Sequence, residues 1–242
     1  MNLPFPSLTN RRSLLLLDVG IACVLLSQCA TVGETASSCD RIRVTSNALS
    51  LAEAEQYCHY ATGERQKVET FWGGTWSEII HIDVDDRYKI SRALTTKTRG
   101  FMEMPLTVVR AQRSALLHEI VHVYAPNTNR FLAEGLAAYL QQQLGGNPAF
   151  PNFGRDLREL ARHRLSALTS LEALNNVRTP RPLRSVMQEQ TAYILAGSFV
   201  QFLIGNYGLT MLRNLYEVGS YDLVYSKDLA ALEREWRIDL QR

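Results

Sequence analysis

The segment Leu116-Leu117-His118-Glu119-Ile120-Val121-His122-Val123-Tyr124 sets three ionisable side chains in an otherwise apolar helical stretch, and this restricts the fold more than any other part of the chain. On a helix, residues four apart share one face one turn apart, so both imidazoles point at one place. Glu119 lies about a quarter-turn round from His118. Burying three such groups in one turn is costly without a shared purpose. The H-E-x-x-H spacing supplies one: two metal-ligating histidines, with a carboxylate beside the metal that can take a proton from a water held there.

The third ligand follows from the next turn of chain. Pro126 cannot continue the helix, and Asn127-Thr128-Asn129 makes a polar turn before a second helix begins at Phe131. A short loop makes the two helices antiparallel neighbours, which carries Glu134 back toward His122. Gly135, Ala137 and Ala138 are small enough for close approach. His118, His122 and Glu134 then form a set for one zinc ion per chain with one position left open, as in catalytic and not structural zinc sites. An extension ending in a third histidine would need Gly at position 125 and His at 128, where this chain has Ala125 and Thr128. His59, His81 and His163 each stand alone, without a second metal-type residue at useful spacing.

Upstream, Arg11-Arg12 precede an apolar run from Leu14 to Leu26 that contains Asp18 and Gly20. The run is shorter than the about 20 apolar residues of a membrane span and has the layout of a secretory signal peptide over residues 1–28. Leu26-Ser27-Gln28-Cys29 resembles a bacterial lipobox, with Gln28 in place of the usual small residue, and implies a lipid on Cys29 and a membrane-anchored location in the cell envelope; the alternative is an ordinary secretory signal cut nearby and a periplasmic or secreted protein. Export to an oxidising compartment predicts a Cys39–Cys58 disulfide. Residues 29–48 read as a small, polar tether.

Spacing predicts one long helix, or one broken at Gly63, from Ser50 to Trp72 and stopped by Gly73-Gly74, strands at Ile79–Val84 and Leu106–Val109, and one or two shorter strands between Tyr88 and Met104. Helices are expected at Arg113–Tyr124, Leu132–Leu144, Arg155–Leu165, Glu189–Tyr207 and Leu229–Leu240. The fold class is α+β, with a small mixed sheet beside an active-site helix pair (residues 49–145) and an all-helical lobe (146–242). With Lys+Arg 26 against Asp+Glu 24, no global field gathers nucleic acid. Arg155, Arg158 and Arg162 share one face of their helix, which reads either as a solvated face or as a contact for an anionic surface.

The two metal motifs, His118-Glu-Ile-Val-His122 and Phe131-Leu-Ala-Glu134-Gly-Leu-Ala-Ala-Tyr139, agree in order and spacing with the gluzincin metallopeptidases. The chain resembles in particular the peptidase-MA-like bacterial proteins related to the aminopeptidase-N group. Tyr193-Ile-Leu-Ala-Gly197-Ser-Phe-Val200 and Leu229-Ala-Ala-Leu-Glu-Arg-Glu-Trp236 resemble later helices of the same proteins, so the likeness runs from about Leu49 to the C-terminus. It implies a zincin fold, a catalytic zinc, Glu119 as general base and hydrolysis of peptide bonds in a peptide or protein substrate. It also implies a tyrosine that donates to the oxyanion, for which Tyr193 is the candidate and Tyr139 the runner-up. Tyr193 stands four residues before Gly197, whereas the relatives' spacing of three would put Ile194 there.

Two further departures bear on function. Where some gluzincins carry an acid one turn after the third ligand, this chain has Ala138. Gly100-Phe-Met-Glu103-Met only superficially matches the segment that binds a substrate amino terminus, and Leu106–Val109 is the expected edge along which an extended peptide pairs. A zincin-fold lipoprotein that binds or assembles envelope components, with little or no catalysis, is the alternative to a peptidase.

Overall fold

The computed structural model describes residues 34–74, 76–94 and 99–242; the expected signal peptide and Cys29 lie outside them. Thr35–Cys39 (β1) pairs antiparallel with Ile42–Ser46 (β2). Leu51–Trp72 (α1) then crosses to Ile80–Asp85 (β3), which runs parallel to β2. Arg92–Leu94 (β4) and Phe101–Pro105 (β5) are antiparallel, and β5 lies parallel to β3. The result is one five-stranded mixed sheet in the order β1-β2-β3-β5-β4.

Alternation explains how β3 sits. Ile80, Ile82 and Val84 are fully buried, while His81 and Asp83 are half-buried on the opposite face. Helix α1 starts at a capping box in which the Ser50 hydroxyl accepts from the Glu53 amide and the Glu53 carboxylate accepts from the Ser50 amide. Gly63 does not break the helix, and Gly73, at φ +77°, ends it. The expected disulfide joins Cys39 of β1 to Cys58 of α1. The buried Arg65 guanidinium reinforces this junction through Asp40 and Glu69, each at 2.6 Å.

Three expectations are corrected. Residues 35–46 are not a tether: their small polar side chains lie on an outer strand whose backbone is paired by β2 and held by the disulfide. Leu106–Val109 is not a strand, because Pro105 has no N–H to continue a ladder and caps a short helix, Leu106–Arg110 (α2). The sheet edge on that side is β4. Finally, packing does not divide at residue 145, since a single hydrophobic core takes in Ile82, Leu117, Leu136, Phe199 and Trp236 alike.

The remaining helices follow in order: Leu116–Tyr124 (α3), Arg130–Leu144 (α4), Leu157–Arg164 (α5), Glu172–Asn175 (α6), Glu189–Tyr207 (α7), Leu209–Val218 (α8), Tyr221–Tyr225 (α9) and Leu229–Asp239 (α10). Trp236 anchors α10, donating from Nε1 to the Ser198 hydroxyl at 3.1 Å and meeting the Phe199 ring edge-on. Arg158 pairs with Asp239 at 3.5 Å, and Arg162 donates to the Leu240 carbonyl at 2.6 Å. Two of the three arginines, Arg158 and Arg162, thus also fasten the end of α10, Arg162 while still exposed. Among the described residues no single helix is long and apolar enough to cross a membrane.

Candidate metal centre

Helix α3 lacks a side-chain cap of its own at Ala115. Gln141 of α4 takes that role across the helix pair, accepting from the His118 amide at 3.1 Å and donating to the Asn147 carbonyl at 3.0 Å. Helix α4 begins at Asn129, whose side-chain oxygen accepts from the amides of Phe131 and Leu132. That start places Glu134 in the second turn, opposite α3.

His118, His122 and Glu134 converge there, with one ligand atom from each within 4.8 Å of the others. Glu134 Oε2 lies 3.0 Å from His118 Nε2 and 3.3 Å from His122 Nε2. All three residues are buried, and the imidazoles meet edge to face. Two imidazole nitrogens and a carboxylate, gathered out of water at one place, are the donor chemistry that suits zinc. Burial alone would raise the Glu134 carboxyl, but His122 and His118 beside it hold it well below the usual carboxylate range.

Glu119 belongs to the same turn of α3 but not to this cluster. It is buried, and its Oε2 accepts from the Ala93 amide of β4 at 2.7 Å. Burial pushes its carboxyl up, with His118 opposing.

Tyr193 of α7 lies beside His118, its ring stacked with the imidazole at a centroid distance of 5.9 Å. Ile194 is buried in the core. Burial raises the Tyr193 phenol far above its ordinary value, so the hydroxyl keeps its proton. Tyr139 packs edge-on against Phe71 instead. Tyr193 reaches His118 because α4 and α7 approach closely: a Cβ on Gly135 would meet the Ala196 carbonyl oxygen at 2.7 Å, and one on Gly197 would meet Ala138 Cβ at 3.1 Å. Glu103, by contrast, is tied to Arg92 across the β4–β5 pair.

Sequence reasoning missed two supports. Arg130, one turn before Glu134, pairs with its Oε1; the i, i+4 spacing was the available signal. Gln141 had none, because its partner lies 23 residues away. His118 Nδ1 is buried and has no hydrogen-bond partner among the described residues.

No family model and no curated protein matches the chain. Among solved structures it is similar to a two-domain M1 zinc metallopeptidase mutant bound to L-arginine, with TM-score 0.52 and 15% identity over 85% of this chain and 51% of that one. Native yeast LTA4 hydrolase matches at TM-score 0.51 and 13% identity, over 86% of this chain and 35% of that one. An M1 zinc metallopeptidase from Deinococcus radiodurans matches at TM-score 0.50 and 14% identity, over 85% and 51%. The fold is that of the M1 zinc metallopeptidases. The chain spans about half the length of two of these structures and about a third of the other.

Proposed function

We propose that this chain is a zinc-dependent hydrolase of peptide bonds that works outside the cytoplasm, held at a membrane through Cys29. The observation that carries the reading is the convergence of His118, His122 and Glu134 with a separate buried carboxylate, Glu119, on the same helical turn. The Cys39–Cys58 disulfide and the leader-like residues 1–28 support the exported setting.

The three ligands would hold one zinc ion, which supplies Lewis acidity that polarises a carbonyl and acidifies water. Glu119 takes the proton of the attacking water and delivers it to the leaving amine. Burial raises its carboxyl toward working pH, and the Ala93 amide keeps it aimed. Tyr193, protonated because it is buried, presents an O–H donor for the oxyanion. Arg130 holds Glu134 from its far oxygen, leaving Oε2 toward the histidines.

A second reading, a zincin scaffold with little catalysis, is favoured by the orphaned His118 Nδ1, since metal-ligating histidines almost always donate from the other ring nitrogen. Metal analysis of the mature protein and of Glu134→Ala, followed by incubation with a peptide library, separates the two. One zinc per chain, lost in the variant, with cleavage abolished by Glu119→Gln supports the peptidase. Zinc without cleavage supports the scaffold, and no zinc after reconstitution overturns the peptidase and leaves the scaffold.

A further inference from the structure

Beside His122 lies a cavity of about 190 Å³ that the peptidase reading does not use. Its walls include His122, Asn127, Thr128, Arg130, Ala133 and Thr179, with no carboxylate among the described lining residues. Two loops build it. The Thr179 amide donates to the Thr128 carbonyl at 2.9 Å and the Arg130 amide to the Val177 carbonyl at 3.0 Å. The Asn129 side chain also donates to Asn175 Oδ1 at 2.8 Å.

Among the described residues, the cavity's lining holds one cation, Arg130, and no acid. Arg130 spends one end of its guanidinium on Glu134, yet its Nε is buried with no partner among the described residues. A guanidinium has five donors, so the contact with Glu134 leaves others to share on the side that lines the cavity. From the strap over residues 176–186, which contains no acid, Thr179 lines the cavity. A ligand entering here beside His122 meets the Arg130 guanidinium and the Asn127, Thr128 and Thr179 side chains, the complement of a carboxylate.

We propose that this cavity is a carboxylate subsite in which Arg130 selects peptides carrying an anionic group next to the reacting bond. The inference rests on the peptidase reading of the metal centre. The carboxylate comes either from a peptide carboxy terminus or from an acidic side chain, and both arrive with the same chemistry.

The test is binding to zinc-loaded Glu119→Gln protein, by calorimetry, of two peptide pairs: Ala-Phe-Ala as free acid and as amide, and carboxy-amidated Ala-Phe-Glu-Ala against Ala-Phe-Gln-Ala. The acid member of at least one pair is expected to bind about tenfold tighter or more, with an advantage that shrinks at high salt. A preference in the first pair identifies the terminal carboxylate, and one in the second the side chain. Arg130→Gln should erase the preference and Arg130→Lys retain part of it, with zinc content measured alongside. Equal binding within both pairs overturns the subsite. So does a preference that survives in zinc-bound Arg130→Gln, which would leave Arg130 only as a brace for Glu134. Library cleavage by the unmutated protein reads the parent hypothesis separately: cleavage without carboxylate preference refutes the subsite alone, and carboxylate preference without cleavage refutes the peptidase alone.

Discussion

The ring of Tyr193 lies nearly parallel to the imidazole of His118, 9° apart, although the two residues are on different helices and 75 positions apart in sequence. The stack belongs to the ring and the proposed oxyanion contact to the hydroxyl, so substitution can separate them. Tyr193→Phe is expected to keep fold, zinc content and KM while lowering kcat by about 10²–10³. Unchanged kcat would reduce Tyr193 to a packing residue.

The close approach of α4 and α7 makes a second prediction with an internal control. At Gly135 a methyl would press on the Ala196 carbonyl and on Val200, each at 2.7 Å. Gly135→Ala should therefore cost about 1–3 kcal/mol by overpacking and weaken zinc binding through its neighbour Glu134. At Gly63, within α1, nothing lies within 4 Å, so Gly63→Ala should stabilise by about 0.5–1 kcal/mol. Thermal melts of the two variants should move in opposite directions.

Acid should release the start of α1. Arg110 and the Ser50 amide and hydroxyl, all bonded to Glu53, lower its carboxyl to about 2. A lowered folded-state value means that the contribution is present above the unfolded value of about 4.3 and is lost as pH falls toward 2. The stability difference between the native chain and Glu53→Gln, followed by urea unfolding, should be present at pH 6 and close by pH 2. A constant difference across that range would rule out the ionised capping box as its source.

Reduction should loosen the join between β1 and α1. The Cys39–Cys58 link closes a loop across a separation of 19 residues, which by chain entropy is worth about 3 kcal/mol. A reducing agent, or Cys39→Ser with Cys58→Ser, should lower Tm by several degrees. Equal melting of oxidised and reduced protein would show that the Arg65 ion pairs hold the junction without it.

The parts legible in the sequence were those whose causes are local. Helix α1 carries its own stop and start in Ser50, Glu53 and Gly73, and β3 its own alternation. The corrected segments lack such cues or carry opposing ones. Val108 and Val109 favour strand by β-branching, yet Pro105 ends the ladder just before them. Thr35–Cys39 is too polar to announce a strand and becomes one only because β2 pairs with it.

The sequence by itself determined that His118, His122 and Glu134 converge, because the four-residue spacing of His118 and His122, the break at Pro126 and the small residues after Glu134 act within two adjacent helices. Tertiary structure alone decided what surrounds that set: Gln141 capping α3, Ala93 on Glu119, Tyr193 over His118, and the strap over residues 176–186 closing the cavity at Arg130. Each of these joins residues far apart in the chain, and neither periodicity nor capping at one end specifies a partner at the other.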